Sequence, residues 1–183
     1  MQALKIFPTR MRALAIVLLS FWTATAQAPP PREAQVKAVF LFNFAQFAEW
    51  PAETFPNPTA PIIIGILGED PFGPFLEKIV SNEHIGEHPI EIRRFASAEE
   101  ARSCHILFID KNKSRDIDQI LEQLKGRNIL TVSDMKDFAS RGGMIGLFIE
   151  DNKTKFEINL KEYKDSNVVI SSRVLRLATL CCE

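Results

Sequence analysis

The sequence predicts an α/β fold in three layers: a mostly parallel sheet, helices on both faces, and a C-terminal antiparallel hairpin at one edge. Three observations carry this expectation. Ile62–Leu67, Ile106–Ile109 and Ile129–Val132 are short, continuously apolar runs, the mark of strands covered on both sides. Segments of helical periodicity separate them, as crossover connections require. Two further runs, Met144–Ile149 and Phe156–Leu160, flank the polar turn Glu150–Lys153 and pair naturally as a hairpin.

Residues 33–50 read as a helix that Pro51 ends. At 100° per residue, Val36, Val39, Phe40, Phe44, Phe47 and Trp50 gather on one broad face, the face expected to be buried. Asn43 falls in the middle of that face, so its amide should find backbone partners and fix how the helix docks. Phe42 lies on the polar side with Gln46 and Glu49, an aromatic available for contact. After the first buried strand, a helix is expected near 72–80. Pro89–Phe95 alternates apolar and polar residues, as a half-exposed strand does. Residues 98–102 suit a short helix. Asp116–Lys125 places Ile117, Ile120, Leu121 and Leu124 on one face and stops at Gly126. Ser133 is placed to cap a short helix over 134–140. Gly142 and Gly143 then release the hairpin. A last helix is expected over about 171–181, opened by Ser171 or Ser172.

Composition limits the function classes. With 183 residues, 46% hydrophobic and 25% charged, the chain is neither a disordered tail nor a coiled-coil rod, and one folded domain is the expectation. Lys5, Arg10 and Arg12 precede an apolar stretch, Ala13–Trp22, and Ala24-Thr25-Ala26 supplies a small-x-small cleavage pattern. This is the layout of a secretory signal peptide over 1–26. Its apolar stretch, at about ten residues, is too short for a membrane span, which takes roughly 20. A Pro-rich lead-in at 27–32 then precedes a single domain at 33–183. Removing three cations from the 22 basic residues leaves 19 against 23 acidic ones, a net of −4. That balance argues against a nucleic-acid partner, whose phosphates call for cations.

Catalytic and cofactor motifs are missing. Gly65, Gly68 and Gly73 have the wrong spacing for a dinucleotide loop, and Glu69-Asp70 would repel a pyrophosphate. His84 and His88 stand four apart, but Gly86 and Pro89 break the helix that would align them as metal ligands. Neighbours on a strand point to opposite faces, so Cys104 and His105 make a poor dyad. Asp110 and Asp134 follow strands, where an acid either caps a helix or enters a ligand crevice. Arg173 and Arg176 share one edge of the last helix, spaced to fork onto an anion or to pair with Glu157 or Glu162. In the hairpin, Met144, Gly146 and Phe148 alternate with Ile145, Leu147 and Ile149; if this is an edge strand, one apolar row faces outward and offers a dimer or partner surface. Cys104, Cys181 and Cys182 are candidates for a disulfide, and the sequence leaves their connectivity open. No metal and no cofactor is expected.

Val36-Lys-Ala-Val-Phe-Leu-Phe-Asn-Phe-Ala-Gln-Phe-Ala-Glu-Trp-Pro51 resembles the opening signature of the YfiR family, usually Lys-Ala-x-Phe-Leu-Tyr-Asn-Phe-x-x-Phe-x-x-Trp-Pro. Further blocks agree in order: Cys104–Ile109, Ile129–Asp134, Gly142–Ile145, Phe156–Asn159 and Ile170–Ala178. The resemblance spans about residues 33–180; Phe42 departs from the family's tyrosine. It implies a periplasmic, dimeric α/β regulator and not an enzyme. Such a protein represses an inner-membrane diguanylate cyclase by binding its periplasmic sensory domain, lowering cyclic-di-GMP and biofilm formation. An outer-membrane lipoprotein relieves the repression. The motif residues Asn43, Trp50, Gly142, Gly143, Asn159 and Ser172 are implied to be structural. Disulfides stabilise the family's type member; Cys104 matches a family cysteine, but four well-spaced cysteines are absent here. Partner contacts are expected at Phe42, Phe148, Glu157, Arg173 and Arg176. The alternative is a periplasmic small-molecule sensor with a crevice near Glu157, Arg173 and Arg176.

Overall fold

The computed structural model describes residues 31–183, so the expected signal peptide and most of the lead-in lie outside the described residues. The elements, in chain order, are α1 (Arg32–Phe47), β1 (Ala48–Glu49), β2 (Ile62–Leu67), α2 (Pro74–Val80), β3 (His84–Ile85), β4 (His88–Phe95) and β5 (Ile106–Ile109). There follow α3 (Ile117–Leu124), β6 (Leu130–Ser133), β7 (Ile145–Glu150), β8 (Lys153–Asn159), α4 (Leu160–Asp165), β9 (Val169–Ile170), α5 (Ser172–Leu175) and β10 (Thr179–Cys181).

The main sheet has the order β10-β8-β7-β6-β5-β2-β4-β3. Strands β4, β2, β5, β6 and β7 run parallel, and β8 turns back antiparallel to β7. Alternation along the central strands builds two cores. Ile62, Ile64, Ile66, Ile106, Phe108, Leu130 and Val132 pack with Leu41 and Phe44 of α1 and Leu76 of α2. Ile63, Leu67, Leu107, Ile109 and Ile129 pack with Ile117, Ile120 and Leu124 of α3. Each such side chain contributes about 1.5–3 kcal/mol when fully buried. The three-layer α/β expectation therefore holds, with the hairpin at one end of the sheet.

The face that α1 buries differs from the one the sequence suggests. Ala34, Ala38, Leu41, Phe44 and Ala45 are buried, whereas Val39 and Phe47 are 42% and 36% exposed. The alanines let the helix approach the sheet closely, and this displaces the larger residues to its flanks. The helix also ends before Trp50. Ala48 is extended (φ −115°, ψ 147°), and Ala48–Glu49 pairs antiparallel with Val169–Ile170 in a separate two-stranded sheet. Trp50, which precedes Pro51, is disfavoured in a helical conformation.

Other local expectations are also corrected. Residues 134–140 form turns instead of a helix, with Asp137 at a φ of 59°. Ser133 hydroxyl accepts the Met135 N–H at 3.2 Å and donates to the Ile109 carbonyl at 2.6 Å, so it closes a turn. A 3-10 turn, Glu100–Ser103, stands near the predicted short helix at 98–102. The predicted last helix is only Ser172–Leu175, because Thr179–Cys181 adds a strand parallel to β8 and takes up its free edge. Leu160 opens α4 instead of ending a strand, since Asn159 accepts the Glu162 N–H and caps the helix.

Candidate functional site

The carboxyl ends of β5, β6 and β7 share one rim of the sheet, the place where open α/β sheets form ligand crevices. A cavity of about 480 Å³ opens there, lined among others by Lys37, Asp134, Asp137, Leu147, Phe148 and Glu157. Lys37 projects from α1 and is buried. Its ammonium donates to Glu33 at 2.5 Å, one helical turn away, and to Asp134, beyond the end of β6. Burial works against the charge, but the two carboxylates outweigh it and hold the Lys37 pKa above its ordinary value. Asp134 keeps its second oxygen, Oδ1, buried and without a partner among the described residues.

Across the hairpin, Gly146 stands opposite Glu157. A Cβ at Gly146 would come within 2.8 Å of the Glu157 carboxylate, so the glycine leaves room for that group to lie over the strand. Burial and then the charge of Asp137 raise the Glu157 pKa. Phe148 adds a half-buried aromatic wall. The crevice thus combines acids, lysines and apolar side chains without a nucleophile beside a base.

Of the five contact residues expected from sequence, Phe148 and Glu157 meet in this crevice. Arg173 and Arg176 do not. They are exposed on and just after α5, and they form no ion pair with Glu157 or Glu162 among the described residues; Glu162 instead meets Lys161 at 3.4 Å. Phe42 corrects the expectation of a free aromatic, because it is half-buried and packs against the core. Asn43 is corrected too. Its helix is rotated from the predicted orientation, so the amide is half-exposed and makes no hydrogen bond among the described residues.

The remaining motif residues have traceable roles. Trp50 is half-buried, with its ring edge-on to His105 at 5.5 Å and its Nε1 unpartnered among the described residues. Gly142 adopts a φ of 94°, a conformation that suits glycine. A Cβ on Gly143 would fall 2.2 Å from the ring of Phe138. Asn159 is buried, caps α4 and donates to the Ala139 carbonyl at 2.7 Å, tying the 134–143 loop to β8. Ser172 is exposed, and the cap of α5 is Ser171.

His105 is buried in a stack. Phe55 lies between its imidazole, at 4.7 Å, and that of His88, at 4.0 Å. His88 Nδ1 contacts the Ala60 carbonyl at 2.7 Å. Among the described residues, no three His, Cys, Asp or Glu side chains converge to hold a metal ion. Cys104 is a buried free thiol, pushed up to about 12 by desolvation. Three strands separate β5 from β10, roughly 20 Å at the usual strand spacing, so Cys104 cannot bridge to Cys181 or Cys182.

A family model described as YfiR/HmsC-like matches residues 34–179. The chain belongs to that family. Among curated proteins, none matches it at a significant level. The YfiR/HmsC-like region runs from α1 into β10 and contains every wall of the crevice except Glu33. The family is regulatory, is associated in general with a diguanylate cyclase, and is periplasmic in general. Sequence reasoning missed the Lys37–Asp134 pair. Glu33 and Lys37 at i, i+4 were a visible signal, but only the folded chain brings Asp134 to them.

Proposed function

We propose that this protein is an exported repressor that binds the periplasmic sensory domain of an inner-membrane diguanylate cyclase and lowers cyclic-di-GMP and biofilm formation. The observation that carries this reading is the family match over residues 34–179. The protein acts as a homodimer, and an outer-membrane lipoprotein competes for it. It binds the inactive state of the cyclase better than the active one and so shifts that equilibrium. A swing from 1:99 to 99:1 requires about a 10⁴-fold difference in affinity between the two states. Phe148 and Glu157 at the crevice mouth supply the principal contact, with Arg173 and Arg176 as a second patch. Deleting the protein should raise cyclic-di-GMP in a strain that retains the cyclase. Unchanged levels there would sink the proposal.

The cavity of about 480 Å³ favours a second reading, a small-molecule sensor. Its mixed charges and its Leu147 and Phe148 walls suit a zwitterion with an apolar side chain. A specific ligand at 100 times its Kd adds about 2.7 kcal/mol to stability, which a thermal-shift panel of amino acids would register.

A further inference from the structure

Strand β10 leads into two adjacent cysteines. Neighbours in a strand point to opposite faces, and Cys181 is still in the ladder, paired with Asn159. Cys182 has left it. Its φ of 60° lies in the left-handed region, and the resulting turn brings the two side chains together. Cys182 Sγ donates to Cys181 Sγ at 2.9 Å. The Lys161 N–H donates to the Cys182 carbonyl at 3.0 Å and holds this turn against α4. Both thiols are free and only half-buried, so a reagent can reach them.

We propose that Cys181 and Cys182 form a thiol–disulfide exchange site that closes reversibly to a vicinal disulfide. The co-reactant is an external disulfide, either a small molecule or another protein. The exchange starts at Cys182, since burial above all, and the charge of Glu157 with it, disfavour the Cys181 thiolate. The Cys182 thiolate attacks one sulfur of the external disulfide; that S–S bond breaks, a mixed disulfide forms and one thiolate leaves. Cys181 then gives its proton to solvent, and its sulfur displaces the second thiolate from Cys182. Two cysteine thiols are oxidised to one disulfide while the external disulfide is reduced to two thiols.

Covalent geometry argues for a switch and against a staple. A trans peptide sets adjacent Cα atoms about 3.8 Å apart, shorter than the roughly 4.4–6.8 Å span of an ordinary disulfide, so the ring reopens readily. It also encloses no loop of chain, so it removes little entropy from the unfolded state. Thr179, two residues before the pair, lies opposite Glu157 in the ladder, which puts the switch beside the crevice. The inference does not depend on the proposed cyclase partner.

The test equilibrates the folded protein with oxidised glutathione, alkylates the remaining thiols and cleaves after Arg176, so that the peptide 177–183 carries both cysteines. The expected peptide is unalkylated and lighter by two hydrogens, and reduction restores both alkylation sites. Cys104→Ser should leave this result intact, and Cys182→Ser should abolish it. A peptide ending as a glutathione adduct, cross-linked to a second copy, or alkylated at both thiols would overturn the proposal.

Discussion

The Nδ1 of His105 accepts the backbone N–H of Ile63 at 3.0 Å, joining the starts of the adjacent strands β5 and β2. The ring's proton therefore sits on Nε2, which is buried without a partner among the described residues. Protonating Nδ1 would break the bond to Ile63 and place a charge on a buried ring. Burial first, then the charges of His88 and Arg93, lower this imidazole from 6.5 to about 4.

Stability should consequently fall on mild acidification. The unfolded chain takes up the proton near pH 6.5 and the folded protein only near 4, so the contribution is complete above 6.5 and is lost as pH drops toward 4. At about 1.36 kcal/mol per pH unit, the whole window approaches roughly 3 kcal/mol. Urea unfolding at neutral pH and at about pH 5 measures it, and His105→Gln should flatten that part of the slope. An equally steep slope in the variant would remove His105 from the account.

Gly143→Ala should destabilise the fold by about 1–3 kcal/mol, since its Cβ would overlap the fully buried Phe138 ring. Gly146→Ala meets the end of a flexible glutamate instead and should be milder. Paired denaturation curves decide; equal losses would contradict the packing argument.

Lys37→Met should cost about 2–4 kcal/mol, because Asp134 is left part-buried with no cation beside it. Adding Asp134→Asn should recover part of that loss. A double-mutant cycle reads the coupling, and additive effects would mean that the pair contributes nothing specific.

If the proposed function holds, Phe148→Ala and Glu157→Lys should each weaken binding to the isolated sensory domain of the proposed cyclase partner by about tenfold or more, with little change in Tm. Phe42→Ala should behave in the opposite way, losing about 2 kcal/mol of stability with affinity retained, because Phe42 packs on the core. Calorimetric titration and thermal melts separate the two outcomes.

The buried strands were legible because a run such as Ile62–Leu67, apolar on both faces, fits few other environments. The α1 orientation was not. Side-chain hydrophobicity favours Val39 and Phe47, but the alanines decide how near the helix can come, and that is a property of the sheet beneath it. Thr179–Cys181 reads as helix by local pattern and becomes strand because β8 offers an edge, which no local window contains. The crevice was half legible for the same reason. Phe148 and Glu157 sit on one hairpin, while Lys37 and Asp134 meet only after a long-range fold.

The small ladder between β1 and β9 joins Ala48 to Ile170, about 120 positions apart, through only two residue pairs. So distant a closure gains little until the sheet between its ends exists, which puts it late on the folding route. Loosening it, for instance with Ile170→Ala, should hasten escape from the native state and leave the refolding rate almost untouched. That outcome would make the clasp a brake on unfolding and not a seed for assembly.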